Sequence, residues 1–461
     1  MQKILVKYGL AAHLAFLAVA PLFLFVCGWR GAVTPVLLWL SAVVAVWTFL
    51  SPSVLKGELP HHARERVVRH ALRDPLIWSL LCLVVFAGLF SFNAGVAMMY
   101  DPEGQVWRLS SPFISCLPGS TADVGCRPLA VCVALLVTVL SARHALGGSA
   151  RVAFLLLGSS VSGALALFLL LLSGGTGDQF GVLRLGAVGL ASPAGVAFLL
   201  HLVCGVIALA AVFERKWMRT IPLFIMAIGG NLVGAFVFAG AFFQIVFAVV
   251  LVLTIGYSFA YLHFSGTKNG EYRFLAVTGI MLTAGAALGF LLLPDELVTG
   301  GLAGFTERVF LSSEYLKMKS VLSNVALRAW REHLWIGTGI GSIPFVIKFG
   351  VADADWAFVP SALSGLPNGW WQGLVESGLI GFVVLVSPVG FLCAAYFRRL
   401  ACAISGGGLL VQPTAWIAPA FLLAVVALLF FDGTLVGAET VIVLGAACAL
   451  SVSALPRGKK R

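Results

Sequence analysis

The chain has few charged residues for its length. Charged side chains make up 11% of its 461 residues, whereas hydrophobic side chains make up 60%. Soluble domains carry about 25% charged residues, so a water-surrounded fold cannot bury this much apolar surface. The scarcity of charge argues against an ordinary soluble protein. It predicts that lipid surrounds most of the chain.

Signals for metal and nucleotide chemistry are also missing. No cysteines and histidines stand at a zinc-type spacing, and no GxxxxGKS/T loop for a nucleoside triphosphate occurs. The acidic residues expected outside the membrane on the side opposite the termini are scattered, and the pair Asp353 and Asp355 does not form a larger carboxylate cluster of the kind that holds Mg²⁺. We therefore expect any reaction of this protein to need no metal, no other cofactor and no ATP.

Ionisable residues are rare inside the hydrophobic runs. His13, His201, Glu376 and Glu439 lie in or at the ends of such runs. A proton- or ion-coupled transporter normally keeps paired charges near the middle of the bilayer. The scarcity weakens a transporter interpretation without excluding it.

What the chain has in abundance is apolar runs of about 20 residues, the length that crosses a bilayer. Twelve runs occur, at 9–28, 32–50, 76–95, 127–142, 152–173, 188–212, 221–239, 241–262, 274–293, 373–397, 411–431 and 436–455. The predicted fold class is all-α, a polytopic membrane helix bundle of about 12 transmembrane helices. Residues 1–293 would form helices one to nine and 294–372 a large periplasmic loop. Residues 373–461 would form helices ten to twelve and a cytoplasmic tail.

Positive charge is concentrated in the loops on the side of the termini. Those loops hold 20 of the 30 basic residues and 5 of the 19 acidic ones. Basic loops stay in the cytoplasm, so the net charge of +11 reflects topology and not nucleic-acid binding. We expect a multi-pass protein of a bacterial inner membrane with both termini in the cytoplasm.

The two long outer segments are predicted to carry the function. The first, 96–126, holds Cys116 and Cys126, the only two of the nine cysteines placed in an outer loop. Its compartment permits a disulfide between them. The sequence does not fix their geometry, so a bonded and a free pair both stay open.

The second outer segment, 294–372, contains a predicted amphipathic helix from Ser312 to Leu334. At about 100° per residue, one face is polar and another apolar. The polar face carries Lys317, Asn324, Arg328 and Arg331, and the apolar face carries Met318, Leu322, Val325 and Ala329. This pattern indicates a helix on the membrane or over a cavity, and simple interfacial anchoring is the alternative interpretation.

Arginines in the outer segments stand near glycine-rich turns. Arg184 lies in GVLRLGAVGLASPAG, and Arg328 and Arg331 directly precede HLWIGTGIGS. Glycines let backbone amides approach an anion closely, and the planar guanidinium suits phosphate oxygens. Together they fit a diphosphate carried on a lipid.

The stretch REHLWIGTGIGS, followed by NGWWQGLVESGLIG, resembles the O-antigen ligase and O-antigen polymerase superfamily. Two Arg-x10-Gly spacings typical of its polymerases also occur, from Arg184 to Gly195 and from Arg328 to Gly339. The matching motif positions are Gly337, Gly339, Gly341, Asn368, Glu376, Gly378 and Gly381.

The resemblance implies a membrane glycosyltransferase of polysaccharide and cell-envelope biosynthesis. Such an enzyme transfers a glycan from undecaprenyl diphosphate to an acceptor hydroxyl on the periplasmic face, with inversion and without metal. The acceptor is a glycan, a lipid or a protein, and other polysaccharide-assembly proteins are expected partners. The residues assigned to the diphosphate are Arg184, Lys317, Lys319, Arg328 and Arg331.

The chain departs from the family pattern at three positions. Pro367 stands where the family has its histidine general base, and Lys319 replaces a family arginine. A family Ser-Arg-Gly turn reads Phe238-Ala239-Gly240 here. Weak substitute bases are His333, Asp353 and Asp355, and candidates for stacking on sugars are Trp356, Trp370 and Trp371. Two alternatives stay open: a binding protein for lipid-linked glycans that has lost catalysis, and a transporter or flippase of lipid-linked sugars.

Overall fold

A computed structural model of the chain describes residues 33–50, 59–93, 98–101, 106–109, 126–145, 149–172, 201–202, 205, 221–238, 313–359, 366 and 368–405. The predicted spans at 9–28, 241–262, 274–293, 411–431 and 436–455, and most of 188–212, lie outside these residues. So do Arg184, Cys116 and Pro367, and the side chain of Asp353 is not described. Predictions at these positions stay predictions.

The described residues are almost entirely helical. In chain order the helices are α1 (Val33–Leu50), α2 (Pro60–Leu72), α3 (Pro75–Phe92), α4 (Arg127–Leu140), α5 (Ser149–Leu172), α6 (Ile221–Phe238), α7 (Ser313–Glu332), α8 (Ile343–Gly350) and α9 (Gly369–Ser405). A π-helical turn, Ser141–Ala145, continues α4, and a 3-10 helix, Asp353–Phe358, follows α8. Each predicted span that falls on a described stretch coincides with one of these helices.

By length and composition, two described helices are long and apolar enough to cross a membrane: α3, and α9 as far as Ala395. One side of α3 exposes an apolar stripe about one helical turn apart, formed by Trp78, Leu81, Val85, Leu89 and Phe92. A continuous apolar surface of this kind is typical of a helix that faces lipid.

Two short strands, which the all-α prediction did not include, follow α3. Strands β1 (Met98–Asp101) and β2 (Val106–Leu109) pair antiparallel, with Met98 opposite Leu109 and Asp101 opposite Val106. Tyrosine, valine and tryptophan favour strands. The intervening Pro-Glu-Gly-Gln sequence has the proline and glycine that favour turns.

Helix α2 lies in what the sequence suggested only as a basic loop. Pro60 stands in its first turn, where its missing N–H costs no hydrogen bond. Ala63, Val67 and Ala71 are four residues apart and buried. This small apolar face lets α2 pack against its neighbours α1 and α3 and the π-helical turn after α4.

A buried ion pair joins the start of α3 to the end of α4. The Asp74 carboxylate lies 2.7 Å from Arg143 Nε and 2.9 Å from His144 Nε2, and its other oxygen accepts from the Leu76 amide. Burial alone would raise the pKa of Asp74. The hydrogen bond with His144 and the positive charge of Arg143 outweigh burial and hold the pKa below its usual value. The basic loops before α3 and after α4 therefore lie at the same end, as the predicted topology requires.

Replacing Asp74 with asparagine should destabilise the α3–α4 pair. Breaking a buried ion pair typically costs about 3–5 kcal/mol, because the remaining charge stays buried without its partner. We expect a clearly lower thermal unfolding midpoint for Asp74→Asn in detergent at neutral pH. Because the folded-state pKa is lowered, the wild-type contribution is complete above the unfolded-state value and disappears as pH falls through the folded-state value. A variant with the wild-type midpoint at neutral pH would contradict this role.

Helices α5 and α6 pack through small and polar residues. Asn231 Nδ2 donates to the carbonyl oxygens of Ser160 at 2.6 Å and of Ala227 at 2.7 Å. His201 is buried beside Gly163 of α5, where a side chain would clash with both His201 and Asn231. Polar side chains therefore take part in the packing of α5 on α6.

Candidate functional site

The predicted amphipathic helix of the second outer segment is present as α7. Its apolar face is buried at Met318, Leu322 and Val325. The predicted polar face is exposed at Lys317, Asn324, Arg328 and Arg331, while Lys319 is half-buried. The hydrophobic residues therefore hold α7 against the protein and direct Arg328 and Arg331 to the surrounding medium.

The segment from α7 to the start of α9 has a hydrophobic core of its own. The core joins α7 to α8, to the 3-10 helix and to the first turns of α9. Its buried members are Met318, Leu322, Val325, Ala326, Ile343, Ile347, Val351, Val359, Leu366 and Val375. Because this core includes residues of α9, the position of α7 is fixed relative to a helix long enough to span the membrane.

A glycine loop connects α7 to α8. Gly337, Gly339 and Gly341 have φ angles of 80°, 105° and 80°. Side chains disfavour this left-handed region, which glycine adopts freely. Glycine at these alternate positions therefore allows three left-handed backbone conformations before α8 begins.

Helix α9 is broken where this loop crosses it. Gly378 has φ 65° and ψ −173°, a conformation almost confined to glycine, within an otherwise helical run. A side chain on Gly378 would clash with the backbone of Trp335, Ile336 and Gly337, and one on Gly337 would clash with Glu376 and Gly378. We call this contact between Gly337 and Gly378 the glycine crossing.

On the N-terminal side of the break, carbonyl groups of α9 accept hydrogen bonds from the glycine loop. The Thr338 amide donates to the Val375 carbonyl and the Gly339 amide to the Glu376 carbonyl, each at 2.9 Å. The Thr338 hydroxyl donates to the same Val375 carbonyl at 3.1 Å. Two carbonyls that the break deprives of helical partners are thereby satisfied.

On the C-terminal side of the break, amides of α9 donate to carbonyl groups of the turn that follows α7. The Leu379 amide donates to the Leu334 carbonyl at 2.9 Å, and the Ile380 amide donates to the Trp335 carbonyl at 3.1 Å. Broken helices occur at membrane depth only where the freed backbone groups find protein or water partners. The glycine crossing provides protein partners on both sides of the break.

Glu376 places its carboxylate in the glycine loop. The carboxylate accepts hydrogen bonds from the amides of Gly341 and Ile343, at the start of α8. Gln372 Nε2, one turn earlier in α9, lies 3.5 Å from Glu376 Oε1. Side-chain oxygens that accept from the free amides at a helix N-terminus satisfy those amides. Glu376 therefore joins the start of α8 to α9.

The sequence suggested that the amides of this glycine run approach a bound anion. In the structure they donate to protein oxygens: Gly337 to the His333 carbonyl, Gly339 to α9 and Gly341 to the Glu376 carboxylate. The group that meets this loop is the carboxyl group of the protein's own Glu376. Three amides that a phosphate could have used are therefore already occupied.

Asn368 and Gly381, the remaining motif residues, have packing and capping roles. Asn368 Oδ1 accepts from the amides of Trp370 at 3.0 Å and Trp371 at 3.2 Å and so caps α9. Gly381 lies against the ring of Phe86 in α3, where a side chain would clash. The motif residues thus cap the start of α9, interrupt the helix at Gly378 and allow α9 to pack closely on α3.

The candidate bases lie at two places near α7. His333 follows the last turn of α7 and is exposed, two residues beyond Arg331. Asp353 begins the 3-10 helix, and Asp355 within it is half-buried. This 3-10 helix packs against α7. The three candidates are therefore carried by the turn after α7 and by a 3-10 helix that packs against α7.

The tryptophans of this region divide into half-buried and exposed groups. Trp371 packs edge-on against Trp330 with ring centres 6.1 Å apart, and Trp370 packs in the same way on Phe382 at 5.8 Å. Trp356 and Trp335 are exposed. Trp335, at the glycine crossing, was not among the sequence candidates. Its place directly before the glycine run was the available signal.

Of the two outer cysteines, only Cys126 is described. It directly precedes α4, is half-buried and has a free thiol in this structure. Because Cys116 is outside the described residues, both the bonded and the free pair stay open.

Comparisons with protein-family models and with curated proteins find no match to this chain. The resemblance to the O-antigen ligase and polymerase superfamily therefore rests on the residues of the chain alone.

Proposed function

We propose that this protein is a membrane glycosyltransferase. It would transfer a glycan from undecaprenyl diphosphate to an acceptor hydroxyl on the periplasmic face, as a polymerase or a ligase does. One observation carries the proposal. Gly337 and Gly378, which the family motif pairs at a distance in sequence, touch in space and hold the arginine face of α7 beside a helix long enough to span the membrane.

The proposed topology is the twelve-span bundle of an inner-membrane protein with both termini in the cytoplasm. The apolar stripe on α3 and the length of α9 support a membrane location. The contact between Asp74 and Arg143 supports a common side for the first basic loops. The same topology assigns the segment with α7 to the periplasm.

The proposed reaction breaks the bond between the anomeric carbon of the donor sugar and the diphosphate. The acceptor hydroxyl oxygen attacks that carbon from the opposite face, so the configuration inverts. The diphosphate leaves with the bonding electron pair, and the hydroxyl proton passes to a base. Cations positioned beforehand stabilise the developing negative charge, and Arg328 and Arg331 are exposed for this role.

The chain has no histidine at the position of the family's general base. Pro367 has no ionisable side chain, and the proposed substitutes are His333, directly after α7, and Asp353 and Asp355 of the 3-10 helix. General-base catalysis contributes about 10²–10⁴-fold, so a poorly placed base slows transfer without abolishing it. Electrostatic stabilisation of the diphosphate would then be the main source of rate.

A transfer assay with purified protein and a radiolabelled lipid-diphosphate glycan tests the proposal. Losing one preorganised donor typically costs about 3–4 kcal/mol in the transition state. We therefore expect Arg328→Ala and Arg331→Ala each to lower the rate at least about a hundredfold. Lys348→Ala, which removes an exposed cation of α8, is the matched control and should stay near wild type.

Each alternative function has its own outcome in this assay. A binding protein without catalysis would retain the labelled donor and form no new glycosidic bond. A transporter would move the head group across proteoliposomes, again without a new bond. Unchanged product yield in both arginine variants would remove those residues from the mechanism.

A further inference from the structure

Helix α2 is held firmly over the ends of its neighbours. Its buried face, Ala63, Val67 and Ala71, packs inward. The Arg64 guanidinium donates to the Leu50 carbonyl at the end of α1, at 3.0 and 3.2 Å. The turn into α3 is fixed by Asp74. Helix α2 is thus a rigid part of this end of the protein.

Trp78 indicates how deep the C-terminal end of α2 lies relative to the membrane surface. It is the first residue of the exposed apolar stripe of α3, and its indole N–H donates to the Leu72 carbonyl at 2.8 Å. Tryptophan is enriched where hydrocarbon gives way to lipid headgroups. The C-terminal end of α2 therefore lies at the membrane–water boundary.

The outward side of α2 has an apolar and a cationic stripe. At about 100° per residue, Val68 and Leu72 share one stripe and are 41% and 60% exposed. Arg69 and Arg73 share the other, and both are exposed. Glu65 is the one acidic residue of α2 and pairs with Arg69.

We propose that α2 is a binding site for anionic phospholipid headgroups of the adjacent leaflet. Val68 and Leu72 insert at the acyl boundary, and Arg69 and Arg73 meet the phosphates. Residues 60–73 contain four arginines and one glutamate, a net charge of +3 that favours an anionic over a zwitterionic surface. The planar guanidinium pairs with two phosphate oxygens at once. This site lies on a different segment from α7 and is independent of glycan transfer.

Lipid titration of the purified full chain in detergent tests the site. Phosphatidylglycerol should bind saturably and raise the thermal unfolding midpoint, whereas phosphatidylcholine with the same acyl chains should have a smaller effect. Two basic residues near an anionic surface account for about a thirtyfold difference in affinity. We therefore expect Arg69→Gln/Arg73→Gln to lose about that factor for phosphatidylglycerol and little for phosphatidylcholine.

Two further variants separate lipid binding from folding and from general charge. Arg69→Lys/Arg73→Lys keeps the charge and should retain most of the preference for phosphatidylglycerol. Arg398→Gln removes an exposed arginine of α9 that the topology places on the same side, and it should behave as wild type. Equal affinity for the two lipids, or an equal loss in Arg398→Gln, would overturn the proposal.

Discussion

Replacing Gly378 with alanine should prevent the segment from α7 to α9 from packing. Alanine is strained at φ 65° and ψ −173°, and its methyl group would occupy the space of the Trp335, Ile336 and Gly337 backbone. Neither backbone segment can move away from the other, because hydrogen bonds join the two segments on both sides of the contact. We expect a loss of more than about 4 kcal/mol of stability, the range of severe core lesions.

The measurement is the yield of monodisperse protein in detergent together with its thermal unfolding midpoint. Gly337→Ala, on the opposite side of the crossing, should give the same defect. Gly390→Ala is the matched control in the same helix, because nothing lies within 4 Å of the added carbon. Alanine also favours a helix over glycine by about 1 kcal/mol. A Gly378→Ala protein as stable as Gly390→Ala would show that the crossing is not formed.

Replacing Glu376 with alanine should release the start of α8. The change leaves the amides of Gly341 and Ile343 without their acceptor, and each unsatisfied buried donor costs about 1–3 kcal/mol. Glu376→Gln should be milder, because its amide oxygen still accepts one of the two hydrogen bonds. We expect the unfolding midpoint to fall in the order wild type, Glu376→Gln, Glu376→Ala.

Hydrogen exchange at α8 gives a local readout of the same change. In both Glu376 variants the α8 amides should exchange faster than in wild type. Glu332→Gln, which neutralises an exposed acid at the end of α7, is the control and should leave α8 protected. If α8 exchanges at the wild-type rate in Glu376→Ala, the carboxylate does not hold this helix.

Helix α7 was predictable from the sequence because its pattern is local. Met318, Leu322 and Val325 recur at helical spacing, and the same spacing gathers Arg328 and Arg331 on the opposite side. The structure has a helix over nearly the predicted range, with these faces buried and exposed as expected. The helices at the described spans follow for a similar reason, since their length and hydropathy are properties of one segment.

The glycine crossing was not predictable in its geometry. The motif gave the positions of Gly337 and Gly378 but not their contact, because the Thr338 hydroxyl and its acceptor are 37 residues apart in the chain. The same holds for Asp74 and His144, 70 residues apart. Long-range pairing of this kind depends on how helices pack, and a single sequence has no local signal for it.

Glu376 shows how this limit affects the interpretation of a site. From the sequence, glycines with nearby arginines indicated amides open to a phosphate. In the structure, amides of this loop donate instead to the carboxyl group of Glu376, which lies in α9 more than thirty residues away in the sequence. Among the described residues, the arginines of α7 remain candidates for the anion, and their side of the membrane decides whether they meet the donor.

A labelling experiment tests that placement most directly. Asn324→Cys puts a thiol on the exposed face of α7 beside Arg328, and Arg398→Cys puts one on the predicted cytoplasmic end of α9. Intact cells are treated with a membrane-impermeant maleimide, and labelled peptides are identified by mass spectrometry so that the native cysteines can stay. We expect labelling at position 324 from outside and at position 398 only after the membrane is permeabilised. Labelling of position 324 only from the cytoplasm would contradict it.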